Sequence, residues 1–164
     1  MTKSVQDVLR RRTRVGERGQ SEFHIGDVDT PWVPLVEGIA AIKHLSFDTR
    51  TGSVVHVLKV DAGGILERHR HRGPVAGYTL RGSWHYLEYD WVAQAGSWVQ
   101  EYPGAIHTLA SDAGMETLFW LNGPIELLDD NDDVVELFDV FWYVNNYLEH
   151  CERTGLDVNE RLFV

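Results

Sequence analysis

The segment Gly64-Ile-Leu-Glu-Arg-His69-Arg-His71-Arg-Gly73-Pro74 places two histidines two positions apart, between three arginines. Alternate residues of a β-strand share one face, so both imidazoles point to one side and the arginines point to the other. The Cα atoms of His69 and His71 are then about 7 Å apart, close enough for both side chains to reach one metal ion. The arrangement costs little when the arginine side faces solvent.

A third histidine follows His71 by 36 residues, in the segment Glu101-Tyr-Pro-Gly-Ala-Ile-His107. The Pro-Gly pair predicts a tight turn, after which His107 enters a new strand. Glu101 alternates in phase with Val99 and could face the same cavity as the histidines. The residues alone leave its role open between a metal ligand, an acceptor that steadies a ligand, a proton acceptor and a surface carboxylate at a strand end.

Short segments rich in Val, Ile, Thr, Tyr and Trp run from Trp32 to Asp129, separated by turns that contain Gly or Pro. Many short strands at regular spacing are typical of a closed or double-sheet β architecture. The acidic turn 130–133 is expected to join Ile125–Asp129 to Val134–Leu137 as a hairpin. The other predicted strands are Ile39–Asp48, Ser53–Asp61, Ile65–His69, Val75–Arg81, Ser83–Tyr89, Trp91–Ala95, Ser97–Tyr102, Ala105–Ala110 and Glu116–Asn122.

One helix is predicted near the end of the chain, from Val140 to Arg153. Asp139 is expected to cap its N-terminus and Gly155 to end it. We expect the apolar stripe to pack on the outside of the sheet, with Cys151 as a small core residue. The residues of that stripe recur at i, i+3, i+4 and i+7: Val140, Phe141, Val144, Tyr147, Leu148 and Cys151.

The composition is that of one ordinary domain of 164 residues. The chain has 25 acidic and 15 basic residues and a formal net charge of −10, which disfavours nucleic acid as a partner. No apolar run approaches the roughly 18 residues that span a bilayer, so no membrane partner is expected. A single cysteine excludes an internal disulfide and fits a reducing compartment, which predicts a cytoplasmic protein.

Basic residues are concentrated at the start of the chain, where the first 20 residues carry a net charge of +4 and the remainder carries −14. We predict a basic N-terminal arm over residues 1–31 and a single domain over 32–164, with a barrel at about 35–137 and the helix at about 139–154. No apolar stretch follows the basic start, so a secretory signal is not indicated. The arm is expected to be solvated or to pack on an acidic neighbouring subunit.

The two histidine segments together resemble the two motifs of the cupin superfamily. The resemblance covers about residues 35–129 and implies a double-stranded β-helix, or jelly-roll barrel, with a metal inside. With the predicted helix, the fold class is all-β, a cupin barrel with a C-terminal α-helix. The residues that match the first motif are Gly64, His69, His71 and Gly82, and those that match the second are Gly96, Pro103, Gly104 and His107.

One position departs from the cupin pattern. The resemblance implies a glutamate four residues after the second histidine, but that position is Val75. The implied site is then three histidines, which leaves a divalent iron with its full charge and open positions. Such a site suits a chelating anionic substrate together with dioxygen.

The stretch from His69 to Trp91 and the segment Gly96–Leu109 resemble one group of cupins in particular, the 2,4′-dihydroxyacetophenone and acetylacetone dioxygenases. The resemblance implies a mononuclear non-haem iron held by His69, His71 and His107, and cleavage of a C–C bond next to a carbonyl in a small hydroxyketone or diketone. Beside this site, Glu101 is the candidate catalytic residue, which would assist proton removal or steady a ligand. Fe(II) is the implied cofactor, although Zn, Ni or Mn could occupy the site in purified protein. The resemblance also implies a homodimer or a dimer of dimers.

Six residues are candidates for lining the substrate pocket, although aromatic residues on sheets also serve as packing or dimer contacts. His56 and His85 could each reach the cavity as an orienting group, or be a satisfied histidine of the core or the surface. Two other functions stay open, a non-catalytic metal-binding or ligand-sensing cupin and a metal-assisted isomerase or hydrolase. The candidate pocket residues are Val75, Tyr78, Trp84, His85, Tyr86 and Trp98.

Overall fold

The computed structural model describes residues 24–164, together with Ser4 and Gln6. The basic residues of the predicted N-terminal arm, from Lys3 to Arg18, lie outside the described residues. No helix of the described part is long and apolar enough to cross a membrane. The elements are β1 (Trp32–Val36), β2 (Ala40–Asp48), β3 (Ser53–Val60), β4 (Gly64–Ile65), β5 (His69–His71), β6 (Val75–Tyr86), β7 (Ala93–Gln94), β8 (Trp98–Glu101), β9 (Ile106–His107), β10 (Leu109–Ser111), β11 (Met115–Asn122), β12 (Ile125–Leu128), β13 (Val134–Phe138), α1 (Val140–Thr154) and a short 3-10 helix, Glu160–Leu162.

The strands form two antiparallel sheets. The larger has the order β1-β2-β3-β11-β6-β10-β4, with β7 and β8 paired to β6, and the smaller has the order β13-β12-β5-β9. Pairs between strands far apart in sequence, such as β3 with β11 and β5 with β12, are typical of a jelly roll. The prediction of an all-β barrel with a C-terminal α-helix is confirmed, and so is the β12–β13 hairpin.

The inward-pointing side chains of strand β6 change from odd-numbered to even-numbered positions partway along the strand. Its pairing with β11 contains one extra residue, Leu80, between two cross-strand pairs. An extra residue of this kind is a β-bulge, and it shifts the alternation of side chains by one position. Before Leu80 the odd-numbered residues, such as Thr79, are buried, whereas after it the even-numbered Trp84 and Tyr86 are buried.

Gly82 allows β6 to continue where the sequence predicted two separate strands. Its φ of 67° lies in the left-handed region, which glycine adopts at little cost. A Cβ at this position would also lie 1.9 Å from the carbonyl oxygen of Gly114. Both constraints exclude a side chain, which accounts for the glycine of the first motif.

Arg70 of β5 and Arg72, the residue after this strand, do not simply face solvent. Arg70 lies opposite Glu126 of β12 and binds its carboxylate at 2.5 Å, and Arg72 binds the other carboxylate oxygen. Burial alone would raise the pKa of Glu126, but the hydrogen bonds and charges of the two arginines outweigh it and hold that pKa below its usual value. This pairing fixes the outer side of the strand whose inner side carries His69 and His71.

Replacing Glu126 by glutamine is expected to lower the free energy of unfolding by about 1–2 kcal/mol at neutral pH, because two arginines lose their partner. The folded-state pKa of Glu126 is depressed, so its contribution is present above the ordinary carboxyl pKa and is lost as the pH falls through the folded value. Urea unfolding at pH 7 and pH 3 measures both effects. The matched control is Asp132→Asn, which removes an exposed pair with Arg68 and should cost less than about 0.5 kcal/mol. Equal losses for the two variants would contradict the prediction.

Helix α1 has the predicted ends. The Asp139 carboxylate accepts a hydrogen bond from the backbone N–H of Trp142, and Gly155 is in the left-handed conformation with its N–H directed to the last turn. Asp139→Ala should therefore lower the free energy of unfolding by about 1 kcal/mol. Urea denaturation measures it, with Asp130→Ala in the exposed hairpin turn as the control. A loss no larger than that of the control would show that the cap contributes nothing.

The packing of α1 differs from the prediction. Tyr143 contacts the rings of His44 and His56 on the inward face of the larger sheet. Trp142 and Tyr143 also line the internal cavity. The helix therefore covers the inner side of the barrel and not its outside. Phe141, assigned to the apolar stripe from the sequence, is 41% exposed, and Tyr143 takes its place in the core.

Candidate metal centre

Three histidines meet inside the barrel. His69 and His71 lie on β5, and His107 lies on β9 directly opposite His69. All three are buried, and one nitrogen from each lies within 4.8 Å of the others. The alternation of β5 and the antiparallel pairing of β5 with β9 are sufficient to bring the imidazoles together.

Two contacts fix the orientation of these rings. Nδ1 of His69 lies 2.8 Å from the carbonyl oxygen of Glu67, and a proton on Nδ1 leaves the lone pair of Nε2 free for a metal. The ring of His107 stacks on Tyr86 with centroids 3.7 Å apart and planes 6° apart. His107 Nε2 has no hydrogen-bond partner in the described part of the chain.

Glu101 also reaches the cluster. It is buried at the end of β8, and it lies directly opposite Val75 of β6, the position where the cupin pattern implies a glutamate. Its Oε2 is 3.1 Å from Nε2 of His71 and 3.6 Å from Nε2 of His107. The Tyr86 hydroxyl donates a hydrogen bond of 2.5 Å to Oε1, which leaves Oε2 directed at the imidazoles.

Burial favours the uncharged form of every group in the cluster. It lowers the pKa of His69 and lowers the pKa of His71 to well below the usual value. It also lowers the pKa of His107 to about 3. Burial raises the pKa of the Glu101 carboxyl to about 7, against the hydrogen bond from Tyr86, which lowers it. A bound cation would stabilise this cluster, because it would supply a partner for the neutral imidazoles and for the buried carboxyl.

The donor set fits a divalent metal ion. Two donor atoms about 2.1 Å from one ion and at right angles to each other lie about 3 Å apart, close to the separations of Glu101 from His71 and His107. Oε2 of Glu101 and Nε2 of His107 are buried without a hydrogen-bond partner among the described residues, as expected of atoms that would bind a metal. Iron, zinc and nickel all bind imidazole, so these donors fit more than one metal.

A cavity of about 370 Å³ opens beside the cluster, lined by His69, His71 and Tyr86 at that end. The volume suits a small organic molecule. Trp142 and the carboxylates Glu67 and Glu136 also contribute to the lining. Most of the remaining wall is apolar: Leu35, Val36, Ile42, Leu58, Leu66, Leu109, Phe119, Leu121, Ile125, Leu127 and Phe138.

Of the six candidate pocket residues, Tyr86 is the one that lines this cavity. Val75 and Trp84 are buried in the core, and His85 is half-buried away from the cavity. Tyr78 and Trp98 are 44% and 63% exposed and lie opposite each other on the outer face of the sheet. The bulge at Leu80 is the reason, because it puts Tyr78 and Tyr86 on opposite faces although both are even-numbered.

Helix α1 supplies a part of the cavity wall that the sequence did not predict. Trp142 and Tyr143 reach the cavity because the helix covers the inner face of the barrel. A signal for Tyr143 was present, since it lies three residues after Val140 and four before Tyr147, on the face that is buried. His56, left open as a core or cavity residue, lines the cavity.

The fold and the site resemble those of known proteins. A solved RmlC-like cupin from Ralstonia eutropha JMP134 is 32% identical, with a TM-score of 0.80 over 84% of this chain and 91% of that one. A protein of unknown function with a cupin-like fold from the same organism is 22% identical, with a TM-score of 0.78 over 88% and 93%. An acetylacetone dioxygenase from Acinetobacter johnsonii is 20% identical, with a TM-score of 0.73 over 82% and 97%, a likeness of fold alone. No curated protein matches the chain.

The jelly-roll barrel with three histidines on its inner face defines a protein of the cupin class. Residues 20–126 match the family described as the ChrR cupin-like domain. The chain belongs to that family.

Proposed function

We propose that the protein is a mononuclear non-haem iron dioxygenase that cleaves the C–C bond next to a carbonyl in a small hydroxyketone or diketone, of the 2,4′-dihydroxyacetophenone type. The observation that carries the proposal is the convergence of His69, His71 and His107, with Glu101 beside them, at the point where His69 and His71 line a mostly apolar cavity. A small carbonyl compound fits the cavity volume, and its polar end would meet the cluster.

Held by the three histidines, a divalent iron would supply the redox chemistry that a reaction with dioxygen requires. Glu101 would take the proton that the hydroxyketone or diketone loses when it forms its enolate, at the Oε2 atom that faces the cluster. Tyr86 holds Oε1 through its hydroxyl and stacks on His107, so it fixes the carboxylate and one ligand together. The mostly apolar wall would disfavour water at the reacting end.

The reaction conserves atoms without another reductant. A hydroxyketone and one dioxygen molecule give two carboxylic acids, and a β-diketone and one dioxygen molecule give an acid and a ketoaldehyde. In each case the C–C bond next to the carbonyl breaks, and both oxygen atoms enter the products.

Oxygen uptake by protein reconstituted anaerobically with iron tests the proposal. One dioxygen should be consumed per molecule of 2,4′-dihydroxyacetophenone, acetylacetone or a related compound, with the acids identified by chromatography. Metal content is measured on the same sample. No uptake across a broad panel of hydroxyketones and diketones, with iron verified in place, would overturn the proposal.

A non-catalytic metal-binding or ligand-sensing role is the second candidate. The observation that favours it is the fourth donor, Glu101, because three histidines and one carboxylate can close a tetrahedral zinc site. Zinc bound with four protein ligands and no exchangeable position would support this role. Turnover of a ketone substrate without oxygen would support a metal-assisted isomerase or hydrolase instead.

We also propose that the protein is a cytoplasmic homodimer or dimer of dimers. Exposed Tyr78 on β6, Trp98 on β8 and Trp120 on β11, the strand on the other side of β6, provide apolar surface on the outer face of the sheet that a second copy would cover. Light scattering on purified protein measures the mass in solution, and a monomer at micromolar concentration would contradict the assignment.

A further inference from the structure

His56 is a polar residue on the wall of the cavity that the proposed chemistry does not use. It lies on β3 and is 4% exposed. Its Nδ1 is buried without a hydrogen-bond partner in the described part of the chain, and the residue lines the cavity. A buried polar atom without a partner is destabilising. A side chain that carries such an atom and also lines a cavity therefore calls for an explanation.

The surroundings of His56 are also polar and unsatisfied. His44 lies directly opposite it on β2, is fully buried, and has no hydrogen-bond partner at either ring nitrogen among the described residues. Tyr143 reaches in from α1, with its ring centroid 5.5 Å from that of His56. No group of three or more potential metal ligands in the described chain includes His44 or His56. His44 and His56 are therefore separate from the histidine cluster of the candidate metal centre.

The chemistry of His56 limits what it can bind. Burial lowers its pKa to about 3, so at neutral pH the ring is uncharged, with one nitrogen that donates and one that accepts. A neutral imidazole suits a hydroxyl or carbonyl group better than a carboxylate, which would stay unpaired in this wall. Glu67 and Glu136 on the cavity lining further disfavour an anionic group.

We propose that His56, with Tyr143 beside it, forms a second polar subsite that hydrogen-bonds a hydroxyl or carbonyl group of the substrate, apart from the group held at the histidine cluster. The substrate is then a neutral molecule with an apolar body and two separated polar groups. This inference rests on the proposed function, because it assumes that one substrate occupies both the cluster and the rest of the cavity.

Equilibrium binding of two probes to the zinc-loaded protein tests the subsite without turnover. Acetophenone and 4′-hydroxyacetophenone share a carbonyl and an apolar ring, and differ by a hydroxyl at the opposite end. Isothermal titration calorimetry should show about tenfold tighter binding of the hydroxylated probe to the wild type, the effect of one hydrogen bond. His56→Leu should reduce that preference to within about twofold.

Three further variants make the test specific. His56→Gln keeps a donor and an acceptor and should retain the preference. His85→Phe alters a half-buried histidine outside the cavity and should also retain it. His56→Leu should have a Tm at least equal to that of the wild type, because it removes an unpaired buried nitrogen.

Equal affinity of the wild type for the two probes would overturn the subsite. A preference that survives in His56→Leu would do the same, and so would a lowered Tm in that variant with the preference intact. Failure of the proposed function is distinguishable, because it appears as absent oxygen uptake by the iron-loaded protein and leaves the probe preference in place. Oxygen uptake without any probe preference would leave the dioxygenase assignment standing and remove the subsite alone.

Discussion

Replacing His107 by alanine is expected to lower the affinity for iron or zinc by about 100-fold or more and to reduce oxygen uptake to background. The reason is that binding free energy is shared among few donors, so the loss of one removes a large part of it. His107 is 1% exposed, so solvent cannot easily enter the space left by alanine and replace the imidazole as a metal ligand. Metal competition with a chromophoric chelator measures the affinity, and an oxygen electrode measures turnover.

The matched control is His85→Ala, which removes an imidazole from β6 that does not line the cavity. It should change metal affinity by less than about threefold. Circular dichroism and a Tm for both variants separate loss of a ligand from loss of the fold. Retention of metal at wild-type affinity by folded His107→Ala would show that His107 is not a ligand.

The histidine cluster was predictable because each step depends on short-range geometry. The period of two along a strand places His69 and His71 on one face, and the Pro103-Gly104 turn starts the strand that carries His107. The same local rules gave the ends of helix α1 at Asp139 and Gly155. These features depend on residues a few positions apart.

The pocket was less predictable because it depends on pairing between distant strands. The extra residue Leu80 is visible only in the register of β6 against β11, and it moves Tyr78 to the outer face. The helix presented a similar difficulty, because its periodicity shows which side is apolar and not which face of the barrel that side covers. The contribution of Trp142 and Tyr143 to the cavity wall was therefore not predicted.

The Glu101 carboxylate lies close in space to a motif position from which it is distant in sequence. A comparison along the chain finds Val75 where the cupin pattern implies a glutamate, and suggests a site of histidines alone. Across the β6–β8 pair, however, Val75 lies directly opposite Glu101, and both side chains are buried. A neighbouring strand can thus offer a carboxylate to the same space from a position 26 residues further along the chain.

The role of that carboxylate leads to the second large effect. Glu101→Gln is expected to lower kcat for the proposed oxygenation by about 10²–10³-fold, while KM changes by less than about threefold. Glutamine keeps the shape of the side chain, and its carbonyl oxygen can still accept the hydrogen bond from Tyr86. It cannot take a proton from the substrate as a carboxylate can, and general-base catalysis is typically worth 10²–10⁴-fold.

Metal affinity decides between the two roles that the geometry allows for Glu101. With three histidines still present, a proton acceptor can be lost with less than about a tenfold change in metal affinity. A loss of metal as large as that of His107→Ala would instead make Glu101 a ligand, as its distances of 3.1 Å and 3.6 Å from the imidazoles of His71 and His107 also permit. Glu116→Gln on β11 is the control and should leave both kcat and metal affinity unchanged. Turnover by Glu101→Gln within about threefold of the wild type would remove Glu101 from the chemistry, because a buried carboxylate at this position that takes part in proton transfer cannot be replaced by an amide at so small a cost.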